Sequence, residues 1–145
     1  MNIETIDGLP NVVIDNCEFD KKSNILFLEG HSDNKSDNCP LCGRATSKCR
    51  NYYTRTIQDL PMFGHTVILK LRLRKFQCFN PNCKQHEFVE RISYAAKNSQ
   101  ITQRLEHVIL ETTLHQSGLS ATKELQDQGV RIKNDTLYNI LKKKR

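Results

Sequence analysis

The chain has 145 residues, 37% of them apolar and 7% aromatic, with no Trp. That excludes one large core and points to small sub-cores held by a metal staple. The 22 Lys and Arg against 16 Asp and Glu give a formal charge of +6 and an isoelectric point near 9.1, which favours a polyanionic partner. The opening MNIETIDGLP holds acids and no apolar run, and no stretch approaches the roughly 18 apolar residues of a spanning helix. Neither a secretory signal nor a membrane span is expected, and the cytoplasm is the expected compartment. In that reducing environment six cysteines read as metal ligands plus spare thiols, not as disulfides.

Along the chain, residues 12–19 and 25–29 are short apolar segments around the polar run 20–24, a predicted β-hairpin. Residues 31–38 (HSDNKSDN) read as a polar linker. A second strand pair is predicted between cysteines, 52–59 and 67–76, joined by the turn Leu60-Pro61-Met62-Phe63-Gly64. In the latter strand Val67, Leu69, Leu71 and Leu73 alternate with Ile68, Lys70, Arg72, Arg74 and Phe76. Period two over that length predicts a half-buried strand with a basic outer stripe. Beyond Ser93 the period becomes helical. Ile101, Leu105, Val108, Ile109 and Leu114 form one predicted helix, closed by Gly118. Ser120 is the expected N-cap of a second, which runs to about Gln128 and ends at Gly129. Asn134 or Asp135 caps a third, with Leu137, Ile140 and Leu141 on one face and cations at its end that complement the helix dipole. The expected class is α+β in three segments: an N-terminal β-hairpin (1–34), a cysteine-bearing ribbon (35–92) and a helix-turn-helix-like unit (93–145).

Cys39-Pro40-Leu41-Cys42-Gly43 has the spacing of a zinc knuckle, and Cys78 with Cys83 offers a second pair around an Asn-Pro turn. Four thiolates complete a tetrahedral shell and leave no position for water, so the expected cofactor is one structural zinc ion. Cys49 and His86 are the competing ligands. A redox Cys-x-x-Cys would open a helix beside a βαβ unit, which this pattern lacks. Cys17, in an apolar strand, is expected to be a buried small hydrophobe.

Helix, short helix, turn and cationic helix is the order of a helix-turn-helix DNA reader, with a connector from Gly129 to Lys133 longer than the tightest form. Three amphipathic helices are more often plain packing, and a basic strand or helix end is often simply solvated. The coincidence of zinc ribbon, basic charge and cationic last helix favours DNA. The expected contacts are Lys70, Arg72 and Arg74 on the strand, then Lys133, Asn134, Thr136, Tyr138, Asn139, Lys142, Lys143, Lys144 and Arg145 on the last helix. Lys and Arg neutralise phosphates, while the polar residues near the helix start reach base edges.

One ordered set of motifs carries a family likeness. Cys39-Pro-Leu-Cys-Gly is followed by Tyr53-Thr-Arg55-Thr, Asp59-Leu-Pro61, Arg74-Lys-Phe76-Gln-Cys78-Phe-Asn-Pro-Asn-Cys83 and Phe88-Val-Glu90. The set resembles the start of the ISL-three family of insertion-sequence transposases. Val130-Arg-Ile-Lys-Asn-Asp135-Thr136-Leu is similar to the helix-turn-helix region that follows the zinc segment there. Where family members often carry a His before the tyrosine-arginine motif, this chain has Arg50 preceded by Cys49. The likeness implies that the four cysteines are ligands, that the tail contacts terminal inverted repeats, and that a catalytic domain of ribonuclease-H type follows. The chain ends at Arg145, and Asp59, Glu90, Glu111 and Asp127 match no motif for holding catalytic metals. The resulting expectation is a truncated, catalytically inert DNA-binding portion of a transposase, cytoplasmic and nucleoid-associated. Its expected partners are double-stranded DNA, itself or a full-length transposase, and no membrane. The alternative is a zinc-ribbon module that binds protein and not DNA.

Overall fold

The computed structural model describes residues 5–114 and 116–143. The described elements are β1 (Val12–Asp20), β2 (Ile25–Ser32), β3 (Asp37–Asn38), β4 (Ala45–Thr46), β5 (Cys49–Met62), β6 (His65–Gln77), β7 (Glu87–Val89), α1 (Gln103–Thr113), α2 (Gly118–Asp127) and α3 (Asn134–Lys143). The class is α+β, as the patterning implies.

Alternation in β6 sets the architecture. Val67, Leu69, Leu71 and Leu73 are fully buried on one face of the sheet. β5 folds back on β6 as an antiparallel hairpin over Phe63 and Gly64, both at positive φ (53° and 76°). On β6's other side β2 lies parallel, from Ile25 opposite Thr66 to His31 opposite Arg72. The N-terminal hairpin is therefore hydrogen-bonded into the same sheet, in the order β1-β2-β6-β5, with β7 pairing the far end of β6. Asn24 Nδ2 donates to Gly64 O at 3.2 Å, fastening the two hairpin turns together. Leu28, Ile57 and the four β6 residues form the inner face. Ile6, Leu9, Val12 and Ile14 cover it from the N-terminal side and Tyr94 and Ala95 from the other. Arg55 holds the latter segment by donating to Ala96 O (2.5 Å) and Ser99 O (2.6 Å).

A second core joins the helices: Leu105, Ile109, Ala121, Leu125, Val130, Ile132 and Leu137. It is clasped to the turn end of the β5–β6 hairpin by polar groups. Thr102 caps α1, accepting from Leu105 N, and its hydroxyl donates to the buried Asp59 carboxylate at 2.8 Å. Arg104 grips the same carboxylate with Nε (2.8 Å) and Nη2 (2.5 Å). The Gln58 side chain pairs with the Arg131 backbone in both directions, and the Thr66 hydroxyl donates to Gly129 O at 2.6 Å. Gly129 ends α2 at φ +102°, where a Cβ would stand 2.8 Å from Gly64 O.

Five expectations need correction. Ser117, not Ser120, caps α2, accepting from Ser120 N with its own backbone extended. Gly118 opens that helix instead of closing the one before, since its φ is not left-handed and a cap must lie three residues ahead of the N–H it receives. Phe76 is fully buried rather than exposed beside Arg74, because β7 and the cysteine loops close over that end of the strand. Cys17 is exposed, because β1 is an edge strand whose inner covering ends near Ile14. Ser32, read as linker, is the buried end of β2.

A candidate zinc centre and nucleic-acid interface

The zinc knuckle grows out of a tight backbone. β3 and β4 pair as a two-stranded ladder, Asp37 opposite Thr46, and present Cys39 and Cys42 on the loop between them. Within that loop Gly43 N donates to Cys39 O (2.8 Å) and Cys39 N to Arg44 O (3.0 Å), with Gly43 at φ +79°. Glycine takes that conformation without the steric cost a side chain would bring. β6 delivers Cys78 just past its end, and Cys83 N donates to Asn80 O at 3.1 Å to close the second turn. The Thr46 hydroxyl donates to Gln77 O and ties the halves together. Phe76 and Phe88, ring centroids 5.9 Å apart, form an apolar floor beneath Cys39, Cys78 and Cys83.

The four sulfurs of Cys39, Cys42, Cys78 and Cys83 all lie within 4.8 Å of one another. Cys39 and Cys83 are 3.7 Å apart, Cys42 and Cys78 3.6 Å. A tetrahedron with Zn–S bonds of about 2.3 Å has edges of about 3.8 Å, so the cluster has the dimensions of a four-thiolate zinc site. Backbone N–H groups of Arg44, Asn80 and Gln85 are directed at Cys42, Cys78 and Cys83 respectively, which stabilises thiolate charge. The Arg44 N–H, with the Asn80 side chain, brings Cys42 down to about 6. At Cys83 the Gln85 N–H pulls downward, but burial and the neighbouring thiols prevail and push it up to about 12. Thiols this close cannot all ionise without a cation among them, and a divalent ion reverses that balance. One structural zinc ion, held by these four residues, is the cofactor. Among the described residues no other group of three or more His, Cys, Asp or Glu converges. Cys49 Sγ instead faces Asn51 O at 3.3 Å, and His86 contributes its backbone carbonyl to Cys78 N.

The basic residues divide between two places. Lys70 and Arg72 are exposed on the outer face of β6 and rest on aromatic rings. Lys70 Nζ lies 5.8 Å from the Phe27 centroid, and the Arg72 guanidinium 4.7 Å from that of Tyr52. Arg74 is half-buried, its backbone N–H taken by Glu90, whose other oxygen accepts from the Ser32 hydroxyl. Lys133, Asn134, Thr136, Tyr138, Asn139, Lys142 and Lys143 are all exposed at the start and along the outer arc of α3. Only Leu137 of α3 is buried, with Ile140 and Leu141 packed at the margin. Lys144 and Arg145 lie outside the described residues. Asn134, Tyr138 and Lys142 border a groove with Ser117 and Leu119 at the start of α2, whereas Thr136 and Lys133 border a cleft of about 600 Å³ shared with Ser23, Asn24 and Thr66. Sequence reasoning missed Tyr52 and Arg131. Tyr52 pairs with Arg74 across the hairpin, a register that depends on the bulge near Cys49, and Arg131 sits in a connector without periodicity.

Residues 35–83 match the family model of the zinc finger of transposases IS204/IS1001/IS1096/IS1165. That segment is similar to the zinc ribbon at the start of ISL-three-family transposases. No curated protein and no solved structure gives a significant match. No helix among the described residues is long and apolar enough to cross a membrane.

Proposed function

We propose that the chain is the zinc-dependent DNA-binding portion of an insertion-sequence transposase, and that it recognises the terminal inverted repeats of its element on duplex DNA at the nucleoid. The observation that carries this reading is the exposed polar arc of α3 in a chain that also carries a transposase-type zinc ribbon. One stripe around Leu137 holds the helix, and a broad arc of amides, hydroxyls and cations is left to solvent. Asn134 and Asn139 are suited to paired hydrogen bonds with adenine edges, and Lys133, Lys142 and Lys143 to phosphates. The zinc ion fixes the ribbon and takes no part in chemistry, since four thiolates fill its shell. Asp59 and Glu90 are spent on structural bonds to Arg104, Thr102, Ser32 and the Arg74 backbone. Strand transfer belongs to the ribonuclease-H-type domain that the family resemblance implies.

The test is binding of the zinc-loaded chain to duplexes enriched from a randomised library, measured by anisotropy across salt concentrations. Log affinity should fall linearly with log salt at about −0.9 per phosphate contacted, and Asn139→Ala should cost the preferred duplex about 1–3 kcal/mol of discrimination. A salt-independent signal, or no enrichment, overturns the reading. One observation favours the protein-binding alternative: Leu119, 72% exposed, flanks an apolar groove with Leu137, Tyr138 and Leu141. In that case Leu119→Asp abolishes capture of a partner and no duplex is bound.

A further inference from the structure

The open face of the sheet leads into the helical unit. Tyr52, Thr54 and Thr56 of β5 pair with Arg74, Arg72 and Lys70 of β6, so these six residues share one face. Five of the six, Lys70, Arg72, Tyr52, Thr54 and Thr56, are exposed, and Arg74 is half-buried. Gln58 and Thr66 continue the same face toward the hairpin turn, and their side chains grip the backbone of Arg131 and Gly129. The α2–α3 connector is thereby held at the end of the outer face, with exposed Arg131 and Lys133 leading into α3. The acids of this face, Asp15, Glu18, Asp20 and Glu29, lie on the β1–β2 half, Asp15 paired with His31, and the only charged groups of the β5–β6 half among the described residues are cations. Lys70 and Arg72, laid on Phe27 and Tyr52, are held along the face and lose less freedom on meeting a ligand.

We infer that the β5–β6 face and the α2–α3 connector form one phosphate-tracking surface, so that a single duplex engaged by α3 continues along β6 toward the zinc end. This rests on the DNA-binding reading above and adds a second contact region with a distinct role. From Lys70 to Arg74 the strand advances about 13 Å at 3.3 Å per residue. Phosphates of one DNA strand recur about every 3.4 Å along the axis, so the stripe spans about four of them. Its contacts are with backbone and carry no sequence information.

The experiment compares salt dependence of duplex binding for the zinc-loaded wild-type chain, a Lys70→Gln/Arg72→Gln double variant, and Lys97→Gln. Lys97 is exposed on the segment that covers the opposite face of the sheet and serves as the control. The double variant should lower the magnitude of the log–log slope by about 1.8, about 0.9 for each lost contact. It should weaken preferred and scrambled duplexes by the same factor and retain full zinc content, whereas Lys97→Gln should leave the slope unchanged. An unchanged slope in the double variant, with wild-type binding intact, overturns the inference and leaves the α3 reading standing. An equal loss in Lys97→Gln overturns it too, since the effect is then one of overall charge. If the wild-type chain binds no duplex at any salt concentration, both readings fall.

Discussion

Removing the Arg104 guanidinium tests how the helical unit is fastened to the sheet. The Asp59 carboxylate has no exposed side-chain surface, while the Arg104 side chain is 32% exposed. Arg104→Met leaves a buried carboxylate without its cation, a loss of about 3–5 kcal/mol for a pair of this kind. Asp59→Asn leaves instead a cation that water reaches and that also donates to Asp7 O, so its cost, discounted for screening, is about 1–3 kcal/mol. The pH dependence separates this account from simple loss of packing. Burial alone raises Asp59, but the Arg104 guanidinium, the Leu60 N–H and the Thr102 hydroxyl together hold it below the usual carboxylate range. With a depressed folded-state value the unfolded chain takes up the proton first as pH falls. The contribution is therefore full above about pH 5 and is lost on acidification through the unfolded value of about 3.9 and below. Urea unfolding of zinc-loaded wild-type and variant chains at pH 7 and pH 4.5 reads the difference, and the metal site, common to both, cancels. The deficit of Arg104→Met should exceed that of Asp59→Asn at pH 7 and shrink at pH 4.5, where its unpaired carboxyl is protonated. Equal deficits that do not change with pH would refute the reasoning.

Other outcomes follow from the same contacts. The purified chain should hold one zinc ion, Cys83→Ser should lose it together with the ribbon's chemical-shift dispersion, and Cys49→Ser should retain it by metal analysis. In the zinc-loaded chain Cys17 should be the fast-reacting thiol toward a maleimide, with the four ligand positions protected in a peptide map. Gly129→Ala forces a Cβ toward Gly64 O in a left-handed backbone and should cost about 1–3 kcal/mol in unfolding measurements, whereas Gly43→Ala, with open space around it, should cost about 1 kcal/mol from its φ alone.

The zinc site was legible because ligand chemistry fixes spacing locally: two cysteine pairs flanking a hairpin leave few arrangements in which four thiols do not meet. The β6 alternation was legible for the same reason, since period two translates directly into faces. Phe76 shows where that rule stops, because its surroundings come from β7 and the cysteine loops rather than from its own strand. The parallel pairing of β2 with β6 has no local signal, and neither does the Asp59–Arg104 clasp, whose partners are distant in sequence. Ser117 and Ser120 are equally good caps by composition, and only the extended backbone at Ser117 decides between them.

The parallel pairing bears on how fast the chain folds. Bringing His31 beside Arg72 unaided closes a loop of roughly 40 residues. Once an ion joins Cys39 to Cys78, the remaining path past the two cysteines is roughly 14 residues, which removes about 1 kcal/mol of closure entropy. The metal then acts as a kinetic matchmaker for a strand pair it never touches. Stopped-flow refolding should quicken about fivefold when zinc is present from the start rather than added after collapse.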